Sequence, residues 1–328
     1  AYTTIDNPEL YFQTKLYTGT GSEIAATLDG DEDMQPDLVW IKARTDTESH
    51  KLYDSVRGVT KDIESDLHAA EGTDAQGLKS FDSDGFTIGT YSSINANSSH
   101  DYVAWCWKES ATAGFDIVSY TGTGSAKTEA HSLSAVPKFI AVKNRTTART
   151  WINGHTSIGW EKNLYFDMDN AQNDSADMWN DTDPTSSVFT VGTSVGVNEN
   201  TDSIIAYLWT DIQGFSAMGS YTGNGNADGP FIYTGFRPAW VMVKATSGSS
   251  SWTILDNKRN TFNPMGKGLF PDDSQAEYDY TNRRDFYSNG FKIRNTSSAE
   301  NSSGSTYIYM CFAEAPLVNS NGVPCNAR

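Results

Sequence analysis

Four short blocks recur three times along this chain of 328 residues, in the same order and at nearly constant spacing, so it must fold as copies of one unit. Tyr17-Thr18-Gly19-Thr20-Gly21 returns as Tyr120-Thr121-Gly122-Thr123-Gly124 and as Tyr221-Thr222-Gly223-Asn224-Gly225, at steps of 103 and 101 residues. Pro36-Asp37-Leu38-Val39-Trp40-Ile41-Lys42 is matched by Pro137 to Lys143 and Pro238 to Lys244. Gly85-Phe86-Thr87-Ile88 is matched by Val188 to Val191 and Gly290 to Ile293. Each copy closes on an apolar run: Tyr102 to Trp107, Ile205 to Trp209 and Tyr307 to Phe312.

The blocks read as strands and turns. Two glycines at a strand end mark a turn that needs positive φ or close backbone approach. No Lys-Ser/Thr follows them, so a phosphate-binding loop is not implied. The proline blocks are β-branched and aromatic, with Pro at the strand entrance, where its missing N–H is tolerated. The closing run is apolar at odd and even positions alike, the pattern of a strand buried on both faces. Ser, Thr, Gly, Asn and Asp are abundant between the blocks, and aromatics make up 12% of the chain. The fold class expected is all-β: three tandem β-sandwich-like units of about 100 residues. The boundaries fall at 1–110 (an N-terminal arm plus the first unit), 111–212, and 213–328 (the third unit plus a tail). The linkers are short, so the units should stack closely. The arm, Ala1 to Leu16, is a candidate docking segment, and the polar tail from Asn319 to Arg328 is expected to dock on a partner or fray.

The outer copies are the closer relatives. Leu52-Tyr53-Asp54 with Arg57 matches Ile254-Leu255-Asp256 with Arg259, whereas the middle copy has His155 and Ile158 there. Both outer copies also carry Ala-Glu (Ala70-Glu71, Ala276-Glu277) shortly before an aromatic, Phe81 or Phe286. The candidate ligand-binding residues are therefore Asp54, Arg57, Asp256 and Arg259, because a guanidinium can hold an acidic or sugar ligand. The competing reading of the same residues is an internal ion pair that fixes a loop.

The net charge of −17 carries no basic cluster, which argues against nucleic acid as a partner. No apolar run reaches membrane-spanning length, and residues 1–6 lack the regions of a signal peptide. Cys106, Cys311 and Cys325 have no metal-ligand spacing, and Cys106 and Cys311 sit in apolar runs as small buried hydrophobes. No metalloprotease, nucleophile-elbow or Walker motif is present, and no catalytic residue, cofactor or metal is assigned. His50 stands where the other copies have Trp151 and Trp252, a packing position. The alternation Asp29, Asp31, Asp33 departs from an EF-hand at Met34 and Trp40. Plentiful carboxylates leave a glycosidase pair open, since two such groups need only stand about 5 to 10 Å apart in space.

The blocks at 17–21, 52–60, 80–86, 137–145 and 221–231, with the ending Phe312-Ala313-Glu314-Ala315-Pro316, resemble a family of tailed-phage structural proteins of tail-fibre or lectin-like type. The resemblance covers nearly the whole chain. It implies concanavalin-like or other β-sandwich units and a non-enzymatic place on the virion surface, reached after assembly in the host cytoplasm. It also implies other virion proteins as partners, a homo-oligomer, and a host surface glycan as ligand. Receptor-binding adhesin is the role favoured, ahead of capsid decoration or head fibre, with a polysaccharide depolymerase third.

Overall fold

The computed structural model describes residues 2–97 and 100–326. The first copy contributes β1 (Phe12–Thr18), β2 (Ile24–Thr27), β3 (Leu38–Ala43), β4 (Lys51–Asp54), β5 (Lys61–Asp62), β6 (Gly72–Thr73), β7 (Leu78–Asp82), β8 (Gly85–Ile88) and β9 (Asp101–Trp107). The second gives β10 (Phe115–Thr121), β11 (Lys127–Ala130), β12 (Phe139–Asn144), β13 (Ile152–His155), β14 (Lys162–Asn163), β15 (Asn173–Asp174), β16 (Val188–Val191) and β17 (Ser203–Trp209). The third gives β18 (Ser216–Thr222), β19 (Phe231–Tyr233), β20 (Phe236–Ala245), β21 (Thr253–Asp256), β22 (Met265–Gly268), β23 (Tyr278–Tyr287), β24 (Gly290–Ile293) and β25 (Thr306–Pro316). The helices described are single turns, so the chain is all-β, with sandwich-type layers of antiparallel sheet.

Three four-stranded sheets share one order, in which first, last, third and fourth strands lie side by side: β1-β9-β3-β4, β10-β17-β12-β13 and β18-β25-β20-β21. Outer sheets of three, two and four strands, β2-β8-β7, β11-β16 and β19-β24-β23-β22, cover one face of each. Among the described residues every sheet takes its strands from one copy, so no strand is lent to a neighbour.

The closing strands explain their own composition. Val103, Trp105 and Trp107 of β9 face a central cluster, while Tyr102, Ala104 and Cys106 face the first copy's own outer sheet. β17 divides in the same way, with Ile205, Tyr207 and Trp209 turned to the centre. So does β25, with Ile308, Met310 and Phe312. The three inner sheets thus meet around one shared core. Trp107 touches Trp209 of the second copy (ring centroids 6.3 Å apart) and Trp240 of the third (5.7 Å). All nine tryptophans are buried. Each large apolar side chain removed from water contributes roughly 1.5–3 kcal/mol, so this core is the main cohesive element between copies.

The lysine that ends each proline block is buried as well. Lys143 Nζ donates to Leu67 O of the first copy and Lys244 Nζ to Asp169 O of the second. Burial pulls the pKa of Lys42, Lys143 and Lys244 down to about 8.

Both end segments are engaged within the chain itself. Ile5 lies in the central cluster, Thr3 Oγ1 donates to Gln213 O at 3.0 Å, and Phe12 to Leu16 belong to β1. In the tail, Ser320 N donates to Asp6 Oδ1 at 2.6 Å, Cys325 N to Leu317 O at 2.9 Å, and Arg237 Nη1 to Asn326 O at 2.9 Å. The two ends therefore hold each other against the third copy. Hydrogen bonds rather than an apolar pattern anchor the tail, which is why its sequence shows no core signal. The extremities of both segments, Ala1 and residues 327 and 328, lie outside the described residues.

Candidate functional site in the third copy

Asp54, Arg57, Asp256 and Arg259 lie at the seams between copies, where inner sheets meet. Asp54 and Asp256 have no solvent exposure. Arg57 Nε donates to Asp54 Oδ2, Arg57 Nη2 to Leu52 O at 2.8 Å, and Tyr207 Oη of the second copy to Asp54 Oδ2 at 2.6 Å. Arg57 Nη1 reaches Glu71, whose carboxylate takes Arg145 of the second copy in a fork of 2.8 and 3.2 Å. The chain Arg145–Glu71–Arg57–Asp54–Tyr207 thus crosses the first seam. At the seam between third and first copies the same chain runs Arg44–Glu277–Arg259–Asp256–Trp105, with Trp105 Nε1 donating to Asp256 Oδ2 at 3.0 Å. Both carboxylate–guanidinium pairs are engaged by the protein itself, and the side chains of both are fully buried.

The middle copy departs from this pattern for a reason visible across its seam. Met310 occupies the third copy's equivalent of Tyr207 and Trp105 and has no donor to offer. A buried aspartate there would lack its cross-seam hydrogen bond, and that is costly. His155 replaces it, with Nε2 placed 3.3 Å from Tyr309 O, and burial pulls its pKa down to about 4, so it is neutral. Gln172 and Thr246 stand where the other seams have the Glu–Arg fork, and they keep the backbone bond that all three seams share, Gln172 N to Thr246 O at 2.9 Å. His50 matches the tryptophans whose indoles cross the other two seams, Trp151 to Glu64 O and Trp252 to Tyr165 O. It accepts from Trp40 Nε1 at 2.9 Å and lies against the backbone of Phe270 in the third copy.

The cleft best suited to a ligand lies elsewhere, on the third copy's outer sheet. β23 is ten residues long where β7 of the first copy has five, and it gains β22 as an additional partner. Its first half projects beyond the sandwich core. Tyr278 and Tyr280 are 45% and 40% exposed and stack on each other at 5.7 Å. Tyr280 and Asn282 from β23, with Asn295, Thr296 and Ser297 after β24, line an open cleft of about 460 Å³. Arg283 also lines it, buried, its guanidinium 4.1 Å over the Tyr280 ring. Arg294 borders the cleft and pairs with Asp285 at 3.4 Å. Beneath, the fully buried Arg284 donates to Val241 O and to Glu300 Oε1, both at 2.8 Å. The Glu300 carboxyl is held low against its own burial by Arg284 and Arg283. Its other oxygen accepts from Asn295 Nδ2 at 2.8 Å. An aromatic platform beside amides, hydroxyls and a cation is the chemistry of a saccharide or small polar ligand.

The family model described as Domain of unknown function (DUF7483) matches residues 7–316. This chain belongs to the DUF7483 family. No curated protein matches it. The matched span of the DUF7483 chain takes in all three inner sheets, up to the last residue of β25.

None of the cleft residues was among the sequence candidates, which followed what the outer copies share. The signal lay in what they do not share: Tyr278-Asp279-Tyr280-Thr281-Asn282-Arg283-Arg284 has no counterpart in the first copy and carries the chain's adjacent arginines in an acidic background. Among the described residues no cluster of three or more His, Cys, Asp or Glu side chains is placed to hold a metal ion. Asp29, Asp31 and Asp33 are exposed loop residues, and Asp29 pairs with Lys15 at 2.6 Å. Cys106 and Cys311 are buried, and burial pushes both thiols up.

Proposed function

We propose that this protein is a non-catalytic structural component of a tailed-phage surface that holds a host saccharide in the third-copy cleft. The observation that carries the reading is the exposed Tyr278–Tyr280 stack beside Asn282, Asn295 and Arg283, on the four-stranded outer sheet of the third copy. Exposed aromatic rings pack against sugar rings, and the amides and hydroxyls supply the orienting hydrogen bonds. The placement on a phage particle rests on the block resemblance. So does the expectation of other virion proteins and further copies of this chain as partners.

The shared core favours one alternative. Three like sheets around a common centre give the chain an approximate threefold character that suits docking on a threefold surface of a capsid. Incubating purified protein with bacterial cells and their isolated polysaccharide separates the readings. Saturable binding without release of sugar fragments, weakened about tenfold or more by Tyr280→Ala, supports the adhesin. Fragment release would make it a depolymerase. Absence of binding, together with a particle copy number matching full shell coverage, would replace the adhesin with decoration.

A further inference from the structure

We infer that the cleft selects an acidic sugar, one bearing a carboxylate, and seats that group on Arg283; this rests on the saccharide reading above. Arg283 and Arg284 are both buried, and they face one buried carboxylate, Glu300. Arg284 takes it at 2.8 Å, and Thr253 Oγ1 donates to the same oxygen at 2.9 Å. Arg283 approaches only to 3.7 Å, and its Nε has no hydrogen-bond partner among the described residues. The nearby Arg294 is already paired with Asp285.

The two buried guanidiniums share one buried carboxylate, which leaves one positive charge in excess beneath the open cleft, whose lining also includes the solvent-exposed Asp279. An uncompensated buried charge is unfavourable, and an incoming anion relieves it. One excess charge matches a monoanionic carboxylate better than a doubly charged phosphate. The planar donor fork of arginine fits the two carboxylate oxygens. Tyr280 fixes the guanidinium plane by stacking, and its own exposed edge remains beside the place where a sugar ring would lie. The overall charge of −17 does not oppose this, because repulsion from distant carboxylates is screened beyond about 10 Å at 0.1 M salt.

The test uses the full chain and three matched pairs of oligosaccharides, the uronates of galactose, glucose and mannose and their methyl esters, in calorimetric titrations. An ester keeps the ring and removes the charge. The expected result is binding of at least one uronate about tenfold or more tighter than its ester. Arg283→Gln should reduce that ratio to about twofold or less, whereas Tyr280→Ala should weaken acid and ester alike. Arg283→Lys, which keeps the charge and loses the fork, should retain part of the preference, and it serves as the readout if Arg283→Gln does not fold. Equal binding of acid and ester would overturn this inference while leaving the saccharide reading intact. Binding of neither member of any pair would overturn both.

Discussion

Glu109 shows at the scale of one residue how a seam between copies becomes sensitive to pH. It follows the closing strand of the first copy, and its backbone and side chain meet Asp37, Asp116 and Ile117. Burial first, then a hydrogen bond from its carboxyl to Asp116, pushes its pKa up to about 8 from 4.5. Between those values the folded chain keeps a proton that the unfolded chain has released. The stabilisation is therefore complete below the unfolded pKa, shrinks as pH rises, and is lost above the folded one. Glu109→Gln should flatten this part of the melting-temperature profile, melting close to the parent near about pH 5 and above it near about pH 9. An unchanged slope in the variant would assign the linkage to another group. The Asp–Arg pairs illustrate how much a residue-level reading can hold. Their recurrence was legible at 54/57 and 256/259, and so was the Ala-Glu that supplies Glu71 and Glu277. That these two signals form one chain of charges ending on Tyr207 or Trp105 of another copy was not legible, because sequence spacing carries no information about which surfaces meet.

Among the elements, the Tyr-Thr-Gly-x-Gly turn shows why one motif needs two glycines. The first is required by space: a Cβ on Gly19, Gly122 or Gly223 would stand 2.4, 2.0 or 2.3 Å from a backbone carbonyl oxygen. The second is required by conformation, with φ of +66°, +70° and +68° at Gly21, Gly124 and Gly225. The partner of this turn is an asparagine that lies outside the recurring blocks, Asn95, Asn198 or Asn301. In the middle copy Asn198 Oδ1 accepts from Thr123 N at 2.8 Å, while Nδ2 donates to Ser125 O and Gly192 O at 2.7 Å each. Its recurrence at steps of 103 residues was available in the sequence, but a lone Asn in a polar loop does not announce three hydrogen bonds. The two glycines should respond differently to substitution. Gly122→Ala should destabilise by about 1–3 kcal/mol through overpacking against backbone, and Gly124→Ala by about 1–2 kcal/mol through the left-handed conformation. Asparagine tolerates that conformation, so Gly124→Asn should recover much of the loss and Gly122→Asn none, as read from urea unfolding. Recovery at both positions would show that the carbonyl contact has room to relax.

For the molecule as a whole, the central cluster decides how the chain holds together. Trp105, Tyr207 and Trp240 lie on different inner sheets, yet all belong to that one cluster. Two seams add charged chains and the third a neutral one. Because each inner sheet needs the other two to cover its central face, the chain should unfold in one transition, with calorimetric and van't Hoff enthalpies in agreement. Three resolved transitions would show that the copies are held by the short linkers and not by the core. The sequence by itself determined the strand blocks, the all-β class, the relation of the outer copies and the double burial of the closing strands, because these follow from local periodicity and turn chemistry repeated along the chain. The tertiary structure alone decided that the second buried face belongs to a core common to all three copies and that the recurring Asp–Arg pairs serve its seams. It also decided that the chain ends are tied to each other, and that two arginines on β23 share one carboxylate beneath an exposed tyrosine. The physical reason is that charge balance and burial are set by groups distant in sequence, whereas strand and turn are set by neighbours.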